Sequence, residues 1–171
     1  KTASDGHAAS RVADRFPDGQ LFIDLRGHSA GSGVMPVAEA LAYLLRSLGV
    51  PAQAIPGGVE ERAELYRTRL VDSRTLIVLD NAADSAQVRP LLPGTPGCLA
   101  VVTSRGSLTG LATTHDVHRI RLDALPAPDA VRLVAETLGP ERYWAHPEAA
   151  AELARMCGYL PLALRLATAH L

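Results

Sequence analysis

The chain has 171 residues, of which 47% are hydrophobic and 20% are charged, a composition that excludes a fibrous or disordered protein. Lys and Arg number 17 against 18 Asp and Glu, and a net charge of −1 excludes a free-standing nucleic-acid-binding protein, so we predict no direct nucleic-acid partner. No apolar run approaches the ~20 residues that span a bilayer, and no basic segment followed by an apolar one marks a secretory signal, so we expect a cytoplasmic protein with no membrane partner.

The first part of the chain alternates helices with a strand. A helix is predicted over His7–Phe16, because turn residues follow it directly. A short apolar strand over Leu21–Leu25 comes next, followed by a loop rich in glycine and serine. Apolar residues at three- and four-residue steps then predict a long helix with Pro36 in its first turn. A further helix is predicted over Val59–Leu70, with glutamates in its first half and arginines in its second, which suits the helix dipole.

The middle of the chain contains the clearest strand. Thr75–Asp80 carries an uninterrupted apolar run, which predicts a strand buried on both faces in a parallel sheet. A short helix is predicted near Ser85–Leu91. A second buried strand is predicted over Cys98–Thr103, and a third, weaker strand over Val117–Leu122.

After Pro126 the pattern is helical only. Alternating strands and helices followed by helices alone predict an α/β domain with a parallel sheet and a small helical appendage. We place the α/β domain over residues 1–124 and the helical subdomain over residues 125–171.

The strand that ends at Asp80 carries the strongest candidate for chemistry. A carboxylate that follows a buried parallel strand lies at the carboxyl edge of the sheet, where α/β proteins bind ligands. A P-loop NTPase needs such an aspartate to hold Mg²⁺. By itself this pattern is also typical of a strand followed by an ordinary turn.

Two more segments fit the same chemistry. Lys1-Thr2 matches the last two residues of the phosphate-binding signature G-x-x-x-x-G-K-[ST], in which the lysine contacts phosphates and the hydroxyl contacts Mg²⁺. Arg105 follows the strand over Cys98–Thr103, and its guanidinium could contact a γ-phosphate. Each segment alone is weak, and a surface arginine is the ordinary interpretation of Arg105.

Taken in order, a larger set of segments resembles the NB-ARC domain of the STAND class of P-loop ATPases, in the version found in SARP-type bacterial regulators of antibiotic biosynthesis. The segments that carry the resemblance are Arg11–Leu21, Asp24–Gly27, Leu79–Ala82, Gln87–Gly94, Thr103–Arg105 and Leu160–Leu164. They cover almost the whole chain, and the ordered set is more specific than any single motif.

The resemblance implies a three-layer P-loop NTPase-like parallel sheet with a helical subdomain, and a switch that binds ADP or ATP with Mg²⁺. It implies that Lys1 and Thr2 end the phosphate loop, and that Thr2 and Asp80 are magnesium ligands. Asp80, as the Walker B aspartate, is also the implied catalytic residue. It also implies that Arg105 senses the γ-phosphate and that Pro161 packs near the adenine. The implied partners are DNA-binding and sensor domains of the same polypeptide, with self-assembly as a further possibility.

The chain departs from this family in several places. It begins at the end of the phosphate loop, so the preceding strand and the glycines are missing and we expect an exposed sheet edge. Asn81 follows Asp80 where active relatives often have a second acid, so we expect slow ATP hydrolysis in the intact protein and none in this chain alone. Tyr159 stands where the family usually has glycine.

Two other functions remain open from the sequence. The truncated loop and Asn81 also fit a degenerate scaffold that binds no nucleotide. Gly27-His28-Ser29-Ala30-Gly31 matches the nucleophile motif of α/β-hydrolases, with Asp80 and His146 following in the required order. Gly31, Gly33 and Pro36 delay the next helix, which argues against the sharp turn that this motif needs.

Overall fold

The computed structural model describes residues 13–28, 31, 33–112 and 117–170. The chain divides into two compact units, residues 1–117 and residues 118–171. The boundary expected between residues 124 and 125 stays a prediction.

The first unit contains a parallel sheet of three strands within the described residues, β1 (Gly19–Asp24), β2 (Thr75–Ala82) and β3 (Leu99–Ser104), in the order β1-β2-β3. Its helices are α1 (Val37–Ser47), α2 (Val59–Leu70), α3 (Ser85–Val88) and α4 (Thr109–Ala112). Short 3-10 turns lie at Ala13–Arg15, Ala52–Ala54 and Arg89–Leu91. An α/β unit with a parallel sheet is therefore present, as the alternation of elements predicted.

The local sequence explains the ends of these elements. Pro36 occupies the position that precedes the first turn of α1, and Gly49 ends this helix with a left-handed φ of 80° that residues with a side chain rarely adopt. The helix predicted near Ser85–Leu91 is split into α3 and a 3-10 turn, because Pro90 has no N–H for a further helical hydrogen bond. Of the helix predicted over His7–Phe16, residues 7–12 lie outside the described residues.

The core of the first unit lies between the sheet and helices α1 and α2. Alternate strand residues face it, including Leu21, Ile23, Ile77 and Leu79. Leu41, Leu44 and Leu45 of α1 and Tyr66 and Leu70 of α2 complete this core. Leu76 and Val78 point to the other face of the sheet and are also buried, so β2 is covered on both faces as predicted.

Two expectations about the later strands are wrong. β3 is a strand, but Leu99 is 43% exposed and Val101 is 37% exposed, because within the described residues β3 pairs only with β2 and forms an edge of the sheet. Residues 117–122 form no strand, and their side chains are exposed. Among the described residues no strand pairs with this segment, so its backbone groups lack the ladder that defines a strand.

The second unit is helical, with α5 (Ala127–Leu138), α6 (Pro140–Ala145), α7 (Pro147–Met156) and α8 (Pro161–Ala169). Small and branched residues form its core, namely Ala130, Val134, Ala150, Ala154 and Leu164. Leu125 is held to this unit because its N–H donates to the carbonyl of Tyr159 at 2.9 Å. Within the described residues, no helix is both long and apolar enough to cross a membrane.

Tyr66 gives a first testable feature of the core. Its side chain is fully buried, and its hydroxyl has no hydrogen-bond partner among the described residues. Burial, and to a smaller extent the electrostatic effect of the neighbouring Cys98, raise the pKa of this hydroxyl above its ordinary value near 10. The folded chain therefore keeps the phenol proton at a pH where the unfolded chain releases it, and stability is lost as the pH rises above about 10.

We expect Tyr66→Phe to leave the free energy of unfolding at pH 7 unchanged or to raise it by up to about 1 kcal/mol, because a buried hydroxyl without a partner contributes a desolvation cost only. Urea unfolding between pH 7 and 11 measures this. Above pH 10 the loss of stability should be shallower in Tyr66→Phe than in the parent. The matched variant Tyr43→Phe changes an exposed tyrosine and should leave that slope as it is. A loss of more than about 1 kcal/mol at pH 7 would show that the hydroxyl has a favourable contact.

Candidate functional site

The carboxyl ends of the three strands bring four polar residues together. Asp24 ends β1 and lies opposite Asp80 of β2 in the strand register. Asn81 follows Asp80, and Thr103 lies near the end of β3. This is the edge of the sheet where the sequence predicted a ligand site.

Asp80 is the most buried member of this group, with 5% of its surface exposed. Its Oδ1 accepts a short hydrogen bond from the hydroxyl of Thr103. The same hydroxyl oxygen accepts the N–H of Asn81 at 3.0 Å. A buried carboxylate needs such donors, because an ionised group without them would be costly to remove from water.

Asn81 has a structural reason to be asparagine. Its backbone is left-handed, with φ of 56°, a conformation that asparagine tolerates better than most residues. Its side-chain amide donates to Oδ1 of Asp24 at 3.3 Å. A second acid at this position would place two carboxylates against each other, so the geometry accounts for the asparagine that follows Asp80.

The loop after β1 is fastened to the end of β2. The N–H of Leu25 donates to the carbonyl of Asp80 at 2.8 Å, and the N–H of Gly27 donates to that of Asn81 at 2.7 Å. Between them, Arg26 is left-handed with φ of 54°, and its side chain forms an ion pair with Glu39 at 3.0 Å. The loop is thereby held at the site without a regular strand pairing.

The side chain of Gln87 forms hydrogen bonds with the backbone of the same loops. Its side-chain nitrogen donates to the carbonyls of Leu25 at 3.1 Å and Met35 at 2.9 Å, while its side-chain oxygen accepts the N–H of Ala83 at 2.9 Å. With 5% of its surface exposed, Gln87 uses its whole amide on the backbone that frames the site. Gln87 belongs to the segments that carry the resemblance, but no local pattern around it predicts this role.

The other predicted site residues are placed as follows. Arg105 follows β3 directly and is exposed to solvent. Pro161 is the first residue of α8 in the second unit and is also exposed. Lys1 and Thr2 lie outside the described residues, so their assignment as phosphate-loop residues stays a prediction.

The hydrolase hypothesis gains little from the structure. Ser29 lies outside the described residues. Gly27, which the motif would explain as part of a nucleophile turn, has another reason to be glycine: a Cβ there would lie 2.3 Å from the backbone nitrogen of Ala83. Asp80 directs one carboxylate oxygen to Thr103. Within the described parts of the chain, no group of three or more His, Cys, Asp and Glu side chains could hold a metal ion.

No protein-family model matches the chain. Over all 171 residues, it is 46% identical to the regulatory protein AfsR of Streptomyces griseus and 45% identical to the regulatory protein AfsR of Streptomyces coelicolor. The chain spans only 17% of the length of each of these relatives. It is therefore similar, along its entire length, to a stretch of a much larger regulatory protein.

Proposed function

We propose that the chain is the nucleotide-binding switch module of a multidomain regulator, which binds ADP or ATP together with Mg²⁺. The observation that carries this proposal is the buried carboxylate of Asp80 at the carboxyl edge of a parallel sheet, oriented by Thr103. Parallel sheets place their ligand sites at this edge, and a carboxylate in this position is what a P-loop NTPase requires.

The donor chemistry of the edge fits Mg²⁺. This ion prefers oxygen ligands and is usually held by one or two carboxylates together with water and substrate phosphates. Asp80 supplies a carboxylate, and Asp24 lies opposite it in the register. When bound, Mg²⁺ would neutralise part of the phosphate charge, and the hydroxyl of Thr2 would supply another oxygen.

The remaining contacts in the proposal come from cations. Arg105, at the carboxyl end of β3, would bind the γ-phosphate, since a planar guanidinium matches two phosphate oxygens. Lys1 would bind the β- and γ-phosphates.

The switch itself needs a difference between the two nucleotides. A ligand shifts an equilibrium between conformations only if it binds them with different affinity. Arg105 is the residue that would distinguish ATP from ADP, because ATP alone presents a γ-phosphate. The role of Pro161 near the adenine rests on the resemblance to the NB-ARC domain.

Hydrolysis would be slow in this proposal. Asn81 cannot accept a proton from an attacking water, and its amide is engaged with Asp24. ATP would therefore stay unhydrolysed at the site for long periods, which suits a switch better than an efficient ATPase.

The proposal for the whole protein follows from its relatives. They are named as regulatory proteins and are about six times as long as this chain, so the module would act through other domains of the same polypeptide. We propose a transcriptional regulator in the cytoplasm. DNA binding would belong to another domain, in keeping with the net charge of −1.

The test is isothermal titration calorimetry of ADP and ATP, with and without Mg²⁺, on this chain and on a form extended upstream by about one strand and one loop. We expect the extended form to bind and this chain alone to bind weakly or not at all. Lys1→Ala in the extended form should weaken binding at least tenfold, because hydrogen bonds to charged groups contribute about 1.5–3 kcal/mol.

Arg119→Ala serves as the matched control, since it removes an exposed cation of the second unit and should leave binding unchanged. If the extended form binds neither nucleotide, the switch proposal is wrong and the scaffold hypothesis takes its place.

The hydrolase hypothesis is tested with an ester substrate. If Ser29→Ala does not lower the rate of ester hydrolysis, the hydrolase hypothesis is wrong.

A further inference from the structure

Thr103 makes a contact with Asp80 that neither the sequence motifs nor the relatives assign to it. Its hydroxyl donates to Oδ1 of Asp80 and accepts the N–H of Asn81 at 3.0 Å. One hydroxyl group is therefore hydrogen-bonded both to the carboxylate of Asp80 and to the backbone N–H of the next residue.

The direction of these hydrogen bonds is fixed by chemistry. A threonine hydroxyl has one hydrogen to donate, whereas a backbone N–H can only donate. Because Asn81 contributes the N–H, the threonine oxygen is the acceptor in that bond, and the single hydroxyl hydrogen is left for Asp80. The carboxylate is thus held by a donor whose own orientation is fixed by the backbone.

The strand pairing shows why a side chain is needed here. β2 and β3 are in regular register from Leu76 opposite Leu99 to Leu79 opposite Val102, and the register then shifts before Ala82. Asp80 and Asn81 lie within this irregularity. The hydroxyl of Thr103 therefore links the two strands at the point where the regular pairing ends.

A strand connection alone would not require a contact with the carboxylate. Ser104 already connects the two strand ends, since its hydroxyl donates to the carbonyl of Ala82 at 2.7 Å. Thr103 differs because its donated hydrogen goes to a side-chain carboxylate with 5% of its surface exposed. Its contact fixes the rotation of that carboxylate.

From these contacts we infer that Thr103 is a positioning residue for magnesium: its hydroxyl orients Asp80 toward the ion that accompanies the nucleotide. The inference rests on the proposed function, because it assigns Asp80 as the magnesium ligand. Residues that hydrogen-bond to a metal ligand typically change metal affinity 10- to 100-fold when they are lost. Thr103 would act on Mg²⁺ through Asp80 and would not contact the adenine or the sugar.

The experiment uses the extended form and measures the Mg²⁺ concentration at which half of the metal-dependent gain in nucleotide affinity is reached. Thr103→Val keeps the shape of the side chain and removes the hydroxyl. We expect it to raise this concentration about tenfold or more, while nucleotide binding in EDTA stays unchanged. Thr103→Ser retains the hydroxyl and should restore the parent value.

A double variant tests whether Thr103 acts through Asp80. In an Asp80→Asn background, Thr103→Val should have no further effect on the Mg²⁺ requirement, because the group that it orients has already lost its charge. Full and additive effects of the two substitutions would overturn the inference. Thr75→Val is the matched control, since it makes the same change at the other end of β2, where the hydroxyl contacts Ser73 at 3.2 Å, and should leave the Mg²⁺ requirement unchanged.

The outcomes separate the two proposals. If the extended parent binds no nucleotide, the proposed function fails, and the positioning role fails with it. If the parent binds with Mg²⁺ and Thr103→Val has the same Mg²⁺ requirement, only the role of Thr103 is overturned. Circular dichroism shows whether each variant is folded, and Thr103→Ala, which also lacks the hydroxyl, replaces Thr103→Val in the same comparison if the latter does not fold.

Discussion

Replacing Gln87 with leucine is expected to lower the free energy of unfolding of the first unit by about 2–4 kcal/mol. The substitution removes both donors and the acceptor that the side chain offers to the carbonyls of Leu25 and Met35 and to the N–H of Ala83. A buried polar group left without a partner costs about 1–3 kcal/mol. The carbonyl of Leu25 keeps the N–H of Met35 as a donor at 3.0 Å, so the losses fall on the carbonyl of Met35 and the N–H of Ala83. The apolar contacts of leucine offset only part of this cost.

Urea unfolding followed by circular dichroism measures the loss, and amide hydrogen exchange shows where it occurs. Protection should fall most at Ala83, which loses its acceptor, and in the loop after β1. Gln87→Glu separates hydrogen bonding from packing, because glutamate has the same size but no amide donors for the two carbonyls. It should be about as destabilising as Gln87→Leu.

The control for this prediction is Gln53→Leu, the same substitution at an exposed residue of the 3-10 turn at Ala52–Ala54. It should change the free energy of unfolding by less than about 0.5 kcal/mol. If Gln87→Leu were equally mild, the loops around the site would have to be held by the remaining backbone hydrogen bonds alone.

The regular elements were predictable because each leaves a periodic pattern in the sequence. The run over Thr75–Asp80 has no polar interruption, which is the pattern of a strand covered on both faces, and β2 is buried on both faces. Helix α2 begins and ends at the predicted residues, since Gly58 precedes it and its charges follow the helix dipole. These features depend on neighbours in sequence.

Burial at the edge of a sheet depends on what lies beside it, which a local pattern does not contain. The apolar residues of β3 resemble those of β2, yet Leu99 and Val101 are exposed because β3 has one strand neighbour within the described residues. The segment over Val117–Leu122 has enough β-branched and aliphatic residues for a strand. It has no partner among the described residues and remains irregular.

The candidate site was predictable only in part, because only some of its residues leave a local pattern in the sequence. Asp80 could be identified because an aspartate after an apolar strand has a known position in a parallel sheet. Asp24 ends β1 in the same way, but its position opposite Asp80 depends on the strand order and the register. The contact between Thr103 and Asp80 spans 23 residues and arises at an irregularity in the pairing, for which the sequence carries no local signal.

Replacing Gly27 with alanine is the second change expected to have a large effect, with a loss of about 2–3 kcal/mol in the free energy of unfolding. A Cβ at this position would lie 2.3 Å from the nitrogen of Ala83 and 2.5 Å from the carbonyl oxygen of Asn81. Both are backbone atoms, so relief requires the loop to move away from β2, and the 2.7 Å hydrogen bond from Gly27 to Asn81 would be lost. Forcing extra atoms into a tightly packed position typically costs about 1–3 kcal/mol.

Gly57→Ala is the matched control for this substitution, because its added Cβ would meet no atom within 4 Å and its backbone is not left-handed. It should leave stability within about 0.5 kcal/mol of the parent. Urea unfolding of the two variants side by side checks the difference.

The same pair of variants also tests the site. If Gly27 allows the loop after β1 to lie against the end of β2, Gly27→Ala should weaken Mg²⁺-dependent nucleotide binding in the extended form, since Asp80 and Asn81 lie at that end. Equal stability of the two variants would show that the loop can leave β2 at little cost, and the site would then lack the rigid edge on which the proposed magnesium ligand depends.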